Sequence, residues 1–206
     1  MPRAIDYYFS LVSPWSYLGH DRFIALAREH RAEVNFVPVP LGPVFAETGG
    51  LPLPKRAPPR QRYRFVEMQR WREKLGVPLN LRPKFWPVDG ALADRVVLAL
   101  ADAGLDPDGY IRRAFAGIWV KDQNLADDAV LARILRESDH DPARTLQAAR
   151  SDKVAGRYAD NVQRTLDADV FGAPAYVLEG EVFWGQDRLG LLADALACGR
   201  KPYTAL

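Results

Sequence analysis

The segment Ser13-Pro14-Trp15-Ser16 puts a hydroxyl at the first and fourth positions of a junction between a strand and a helix. Ser13 followed by Pro14 has the form of an N-cap and first helical residue, where proline's missing N–H costs nothing. The unpaired N–H groups of a first turn, with a dipole of about half an elementary charge, favour an anion at that end. Ser13 then has two readings. It is a cap alone, or it also donates its proton to a thiolate brought in by a ligand and so favours the ionised form. Neither serine can be oxidised to a bridge. The chain's one cysteine, Cys198, excludes an intramolecular disulfide, a CxxC pair and a thiolate zinc cluster. At the end of the last expected helix, it reads as an inert, half-buried thiol.

The composition narrows the class further. In 206 residues, 28 basic side chains nearly balance 26 acidic ones, which argues against a dedicated nucleic-acid binder. A chain of this length buries roughly 70% of its unfolded surface, enough for a core without staples. The six-residue run Val96–Ala101 falls far short of the ~18 residues of a membrane span. Arg3 and Asp6 interrupt what would be the apolar region of a signal peptide, so a cytoplasmic protein is expected. His20, His30 and His140 show no HExxH spacing, and no metal site is expected. His20 and His30 read as surface or helix-terminal, with no carboxylate locatable beside either.

The elements that would position the serines begin with β-α-β: a strand at 4–10, a helix from about 15 to 27 and a strand at 33–39. Such a unit makes a parallel pair with a right-handed crossover. Residues 42–60, rich in proline and glycine, read as irregular. Helical patterns follow from Arg62 to Asp167. Strand signals return at 175–178 and 182–184 around a Glu-Gly-Glu turn, and a last helix runs over about 188–197. The order suggests an α/β, thioredoxin-like βαβ–ββα frame with an inserted all-helical domain. Its expected bounds are 1–43 plus 168–206 for the frame and 44–167 for the insertion. Ala173-Pro174, just before the returning strand, falls where such a frame has a cis-proline beside the active-site helix.

With Phe171-Gly172-Ala173-Pro174-Ala175 and Phe183-Trp184-Gly185-Gln186-Asp187-Arg188 added to SPWSYL, the chain resembles the 2-hydroxychromene-2-carboxylate isomerases and kappa-class glutathione transferases. A looser likeness lies between Gln69 and Leu79. The resemblance implies a DsbA-like thioredoxin fold, glutathione as cofactor, a small aromatic substrate and a homodimer. It further implies that Ser13 is catalytic and faces the glutathione sulfur, and that the backbone at Ala173 and Pro174 pairs with the cysteinyl moiety. Trp184, Gly185, Gln186 and Asp187 would embrace the γ-glutamyl end. Asp187 is placed to cap the last helix and also to accept from the ammonium group. Where relatives commonly carry an asparagine, this chain has proline within Leu51–Arg56, leaving Lys55, Arg56 or Arg60 to meet the glycyl carboxylate.

The implied activity is a glutathione-dependent isomerase. A transferase that conjugates electrophiles and a non-catalytic peptide-binding module are the alternatives. Between Lys55 and Lys74, eight basic and two acidic residues interleave with Tyr63, Phe65 and Trp71. That composition reads as a solvated arginine face beside an anionic ligand pocket, with Tyr63 and Trp71 packing inward, in preference to a nucleic-acid surface. Trp15, Trp86 and Trp119 either wall an aromatic site or fill the core.

Overall fold

The computed structural model describes residues 3–204. β1 (Ala4–Phe9), α1 (Pro14–Glu29) and β2 (Glu33–Pro38) form the expected unit, with β1 and β2 parallel. β3 (Ala175–Leu178) and β4 (Glu181–Trp184) complete a mixed sheet in the order β2-β1-β3-β4, both new pairings antiparallel. The two-residue turn joining them has positive φ at Glu179 (53°) and Gly180 (86°), the requirement of a type I′ hairpin. Strand alternation sends Ile5, Tyr7 and Phe9 into the larger core under α1. Tyr8 faces the other way, into a smaller cluster with Val37, Val44 and Val170.

Between β2 and β3 the chain is helical: α2 (Leu41–Thr48), α3 (Pro58–Leu75), α4 (Ala91–Asp102), α5 (Asp108–Trp119), α6 (Asp128–Glu137), α7 (Pro142–Ala149) and α8 (Asp152–Asp167). α9 (Leu189–Cys198) closes the fold behind a 3-10 turn over Gln186–Arg188. The irregular reading of 42–60 is therefore corrected. Pro43 lies in the first turn of α2, and Pro58 and Pro59 open α3. First-turn N–H groups have no intrahelical partner, so proline there breaks nothing. Gly49, in the left-handed conformation at φ 74°, ends α2.

Two further expectations change. Tyr63 does not pack inward but is 58% exposed, whereas Trp71 is half-buried against the core. Cys198 is exposed, because it sits on the last turn of α9 before Gly199. No helix among the described residues is long and apolar enough to cross a membrane.

Candidate active site

Ser13 caps α1 from an extended backbone (φ −95°, ψ 119°), and its Oγ accepts the Ser16 N–H at 3.2 Å. Pro14 follows at the first helical position. Ser13 is nearly buried, and among the described residues no protein acceptor takes its hydroxyl proton. The Ser16 hydroxyl is fully buried and equally unpartnered. Pro14 has no N–H and the Ser16 and Tyr17 N–H groups are held by Ser13, so among the described residues the Ser13 hydroxyl proton and the Trp15 N–H are what this helix end offers a ligand.

The register of the sheet brings the second segment to the same place. β1 and β3 end their pairing at Tyr8 and Ala175, so Ala173-Pro174 enters the sheet at the end of β1 from which the chain runs on to Ser13. The Ala173-Pro174 bond is cis, as the sequence implied. Ala173 is half-buried, and among the described residues its backbone groups have no partner. β4 continues the arrangement: Trp184 pairs with Ala175, and Gly185 N–H donates to Pro174 O at 2.8 Å. A Cβ on buried Gly172 would stand 2.7 Å from Trp184 Nε1. Trp184 is 51% exposed and meets Phe171 edge-on, with centroids 4.7 Å apart.

The Trp184–Asp187 segment divides its labour. Gly185 has φ 106°, and a Cβ there would lie 2.4 Å from Asp187 Oδ1, so only glycine fits this turn. Gln186 is buried, and its Oε1 accepts from Arg22 Nη1 at 2.8 Å, which ties the turn to α1. Asp187 does not cap α9. The cap position is Arg188, with no side-chain capping bond, because the intervening 3-10 turn displaces the aspartate. Asp187 instead accepts from Arg188 Nη1 at 2.6 Å and stays half exposed.

The inserted helices hold the loop before Ser13 residue by residue. Asp94 on α4 accepts the Ser10 hydroxyl and the Leu11 N–H, each at 3.0 Å, and the Tyr158 hydroxyl at 2.9 Å. Trp119 Nε1 donates to Leu11 O and Trp86 Nε1 to Val12 O, both at 3.2 Å. Trp119 is therefore core and brace, not a wall of the site. Burial pushes the Asp94 carboxyl up to about 7, against the three donors that hold it down. Composition gave no hint of this residue. The signal was an aspartate three and four positions before Val97 and Leu98, inside an apolar stripe.

His20 is also corrected. It is 1% exposed, and its Nε2 lies 3.0 Å from Asp108 Oδ1 on α5. Arg112 Nε (3.0 Å) and Arg28 Nη2 (3.1 Å) reach the same carboxylate. Burial lowers the His20 ring below its ordinary value although Asp108 pulls it up. Burial raises Asp108, but the hydrogen bonds from His20 and Arg112 outweigh it and leave the carboxyl at about 2. This pair joins α1 to α5.

Beside the α1 N-terminus a cleft of about 430 Å³ is lined by Trp15, Arg56, Arg60, Tyr63, Arg64 and Glu67. Lys55 is not among its lining residues. Arg56 donates from Nε to Leu51 O at 2.6 Å. Glu67, the cleft's carboxylate, is engaged by Arg70 at 2.6 Å. The cleft is thus strongly cationic, with two aromatic walls.

A four-stranded mixed sheet, a cis-proline immediately before β3 and helices inserted between β2 and β3 define a thioredoxin fold of the DsbA type. Residues 4–197 match the family described as the DSBA-like thioredoxin domain, and the chain belongs to that family. Among curated relatives, a 2-hydroxychromene-2-carboxylate isomerase of Sphingobium xenophagum is 27% identical over 95% of this chain and 99% of its own. Glutathione S-transferase kappa 1 of Caenorhabditis elegans is 26% identical, over 95% of this chain and 91% of its own. A solved 2-hydroxychromene-2-carboxylate isomerase superposes with a TM-score of 0.77 at 23% identity, covering 95% of each chain.

Proposed function

We propose that the chain is a glutathione-dependent isomerase of the 2-hydroxychromene-2-carboxylate type, acting on a conjugated substrate of aromatic origin. The observation that carries this reading is the free hydroxyl proton of Ser13 at the α1 N-terminus, in a chain with no sulfur of its own there. Glutathione, when bound, would supply a thiolate nucleophile for reversible addition to the conjugated substrate, its expulsion returning the cofactor unchanged. The available donors fit such a group: one hydroxyl, the helix N-terminus and an unpaired backbone step at Ala173.

Ser13 donates its O–H to the sulfur while its oxygen keeps the Ser16 N–H, which favours the thiolate over the thiol. The Ala173 N–H and C=O pair with the cysteinyl backbone as an added strand, and Pro174 fixes that step. Trp184 and Gly185 border the γ-glutamyl end. Asp187 accepts from its ammonium in exchange for part of the Arg188 contact. Gln186 acts through Arg22 by holding the turn in place. Arg56 or Arg60, at the mouth of the cleft, takes the glycyl carboxylate. In this reading residues 1–43 plus 168–206 carry the thiol site, and 44–167 supply the cleft. The family resemblance also implies a cytoplasmic homodimer, of which sedimentation tests the second part.

Turnover of 2-hydroxychromene-2-carboxylate with catalytic glutathione tests the reading. The rate should depend on glutathione while the glutathione pool stays constant, and Ser13→Ala should abolish most of it. A rate indifferent to glutathione rejects it. The likeness to a kappa transferase favours conjugation as the second reading, and net consumption of glutathione in the same assay would select it.

A further inference from the structure

Arg64 is 8% exposed, yet among the described residues it has no carboxylate, carbonyl or hydroxyl partner. Its guanidinium lies 4.9 Å from the Trp86 ring centroid and 5.7 Å from that of Phe65. Its only ionic neighbours in the cleft are Arg56 and Arg60, which repel it, and Glu67, which Arg70 occupies. Its nitrogens reach only the cleft, and a largely desolvated cation without a counter-charge costs stability that an apolar side chain packed on Trp86 would not. Burial and the Arg56 charge lower its pKa to about 10, in keeping with a guanidinium that lacks an anion.

Arg60 and Arg64, four residues apart on α3, line the cleft together with Arg56 from the segment before the helix, and the three lie at different depths. Arg60 is exposed and Arg56 half-buried; Arg64 is the deep one. A flexible peptide carboxylate is met at the rim. The inner guanidinium, walled by rings, suits an anion carried on a rigid apolar body. Trp15, two residues after Ser13, puts this cleft next to the thiol site.

We propose that Arg64 binds the carboxylate of the electrophilic substrate and so selects planar aromatic acids over their neutral analogues. This rests on the reading above only in taking the cleft as the acceptor side of the thiol site. A guanidinium offers a carboxylate two parallel N–H donors, and the ring lies between Trp15 and Tyr63. Arg64 is thus a specificity residue, and its removal leaves the binding of glutathione intact.

Calorimetric titration of 2-naphthoate, its neutral amide and glutathione into wild type, Arg64→Met and Arg64→Lys tests this. Wild type should bind 2-naphthoate at least about tenfold more tightly than the amide, and Arg64→Met should lose about ten- to a hundredfold on the acid only. Arg64→Lys should be intermediate, and Arg64→Met should melt no lower than wild type. The proposal is overturned if wild type does not bind 2-naphthoate or if Arg64→Met binds it unchanged. It is equally overturned if Arg64→Met loses glutathione instead, or if it melts lower and weakens both ligands alike. Should wild type ignore glutathione while 2-naphthoate still depends on Arg64, the isomerase reading fails and this one stands.

Discussion

Asp94 and Leu11 are joined by a 3.0 Å bond from the Leu11 N–H to Asp94 Oδ1, fully buried and two residues before Ser13. The other carboxylate oxygen holds the Ser10 and Tyr158 hydroxyls. Together with the indoles of Trp119 and Trp86, it means that every residue from Ser10 to Val12 is fixed by a side chain of the insertion. The helices therefore set the position of the Ser13 cap as well as forming the cleft.

Asp94 gives stability a pH dependence of definite sign. Its folded pKa of about 7 exceeds the ordinary 3.8, so between those values the folded state holds a proton that the unfolded state has lost. This contribution is full below about pH 4 and is lost as pH rises through 7, by about 2–4 kcal/mol. Asp94→Asn, which keeps an acceptor for Leu11, should remove that slope in urea titrations between pH 4 and 8. An unchanged slope contradicts the assignment.

The His20–Asp108 contact predicts the opposite limb. Asp108→Ala leaves a buried imidazole without its partner and the Arg112 guanidinium with Asp21 alone, and should cost about 2–4 kcal/mol. Arg28, whose side chain is 68% exposed, adds little. Because the Asp108 carboxyl sits at about 2, below the ordinary 3.8, its contribution is present above about pH 4 and lost as pH falls through 2. Calorimetry at pH 7–8 should show the deficit in the variant, and the Asp108 carboxylate's part of it should vanish as the pH falls through 2.

Gly19 is where α1 touches the Gln186–Arg188 turn. A Cβ there would stand 2.8 Å from both Gln186 Cβ and the Tyr176 hydroxyl. Gly19→Ala should destabilise by about 1–3 kcal/mol and push the turn outward, raising KM for glutathione more than it lowers kcat. A Tm loss with unchanged KM would separate this packing contact from the thiol site.

The local part of this architecture was legible. Period-two and helical patterns gave β1, α1, β2, the β3–β4 hairpin and α9 within a few residues, and a helical stretch where α3 to α8 lie. Ser13-Pro14 marked the start of α1, and Ala173-Pro174 the cis step before β3. What escaped was non-local or masked by proline. α2 was lost because a proline in a first turn looks like a breaker. His20 and Asp108 are 88 residues apart, and nothing near either announces the other. Arg64 is one of eight basic residues between Lys55 and Lys74, and only its burial between aromatic rings singles it out.

In the proposed function this chain ionises and aims the sulfur of a bound glutathione. Titrating the thiolate absorbance of glutathione bound to the protein, in wild type and Ser13→Ala, measures that directly. Wild type should ionise the bound thiol at least about one unit below the ordinary thiol value near 8.5, and Ser13→Ala should return most of the shift. Glutathione that fails to bind, or binds with the same ionisation in both proteins, would contradict the account.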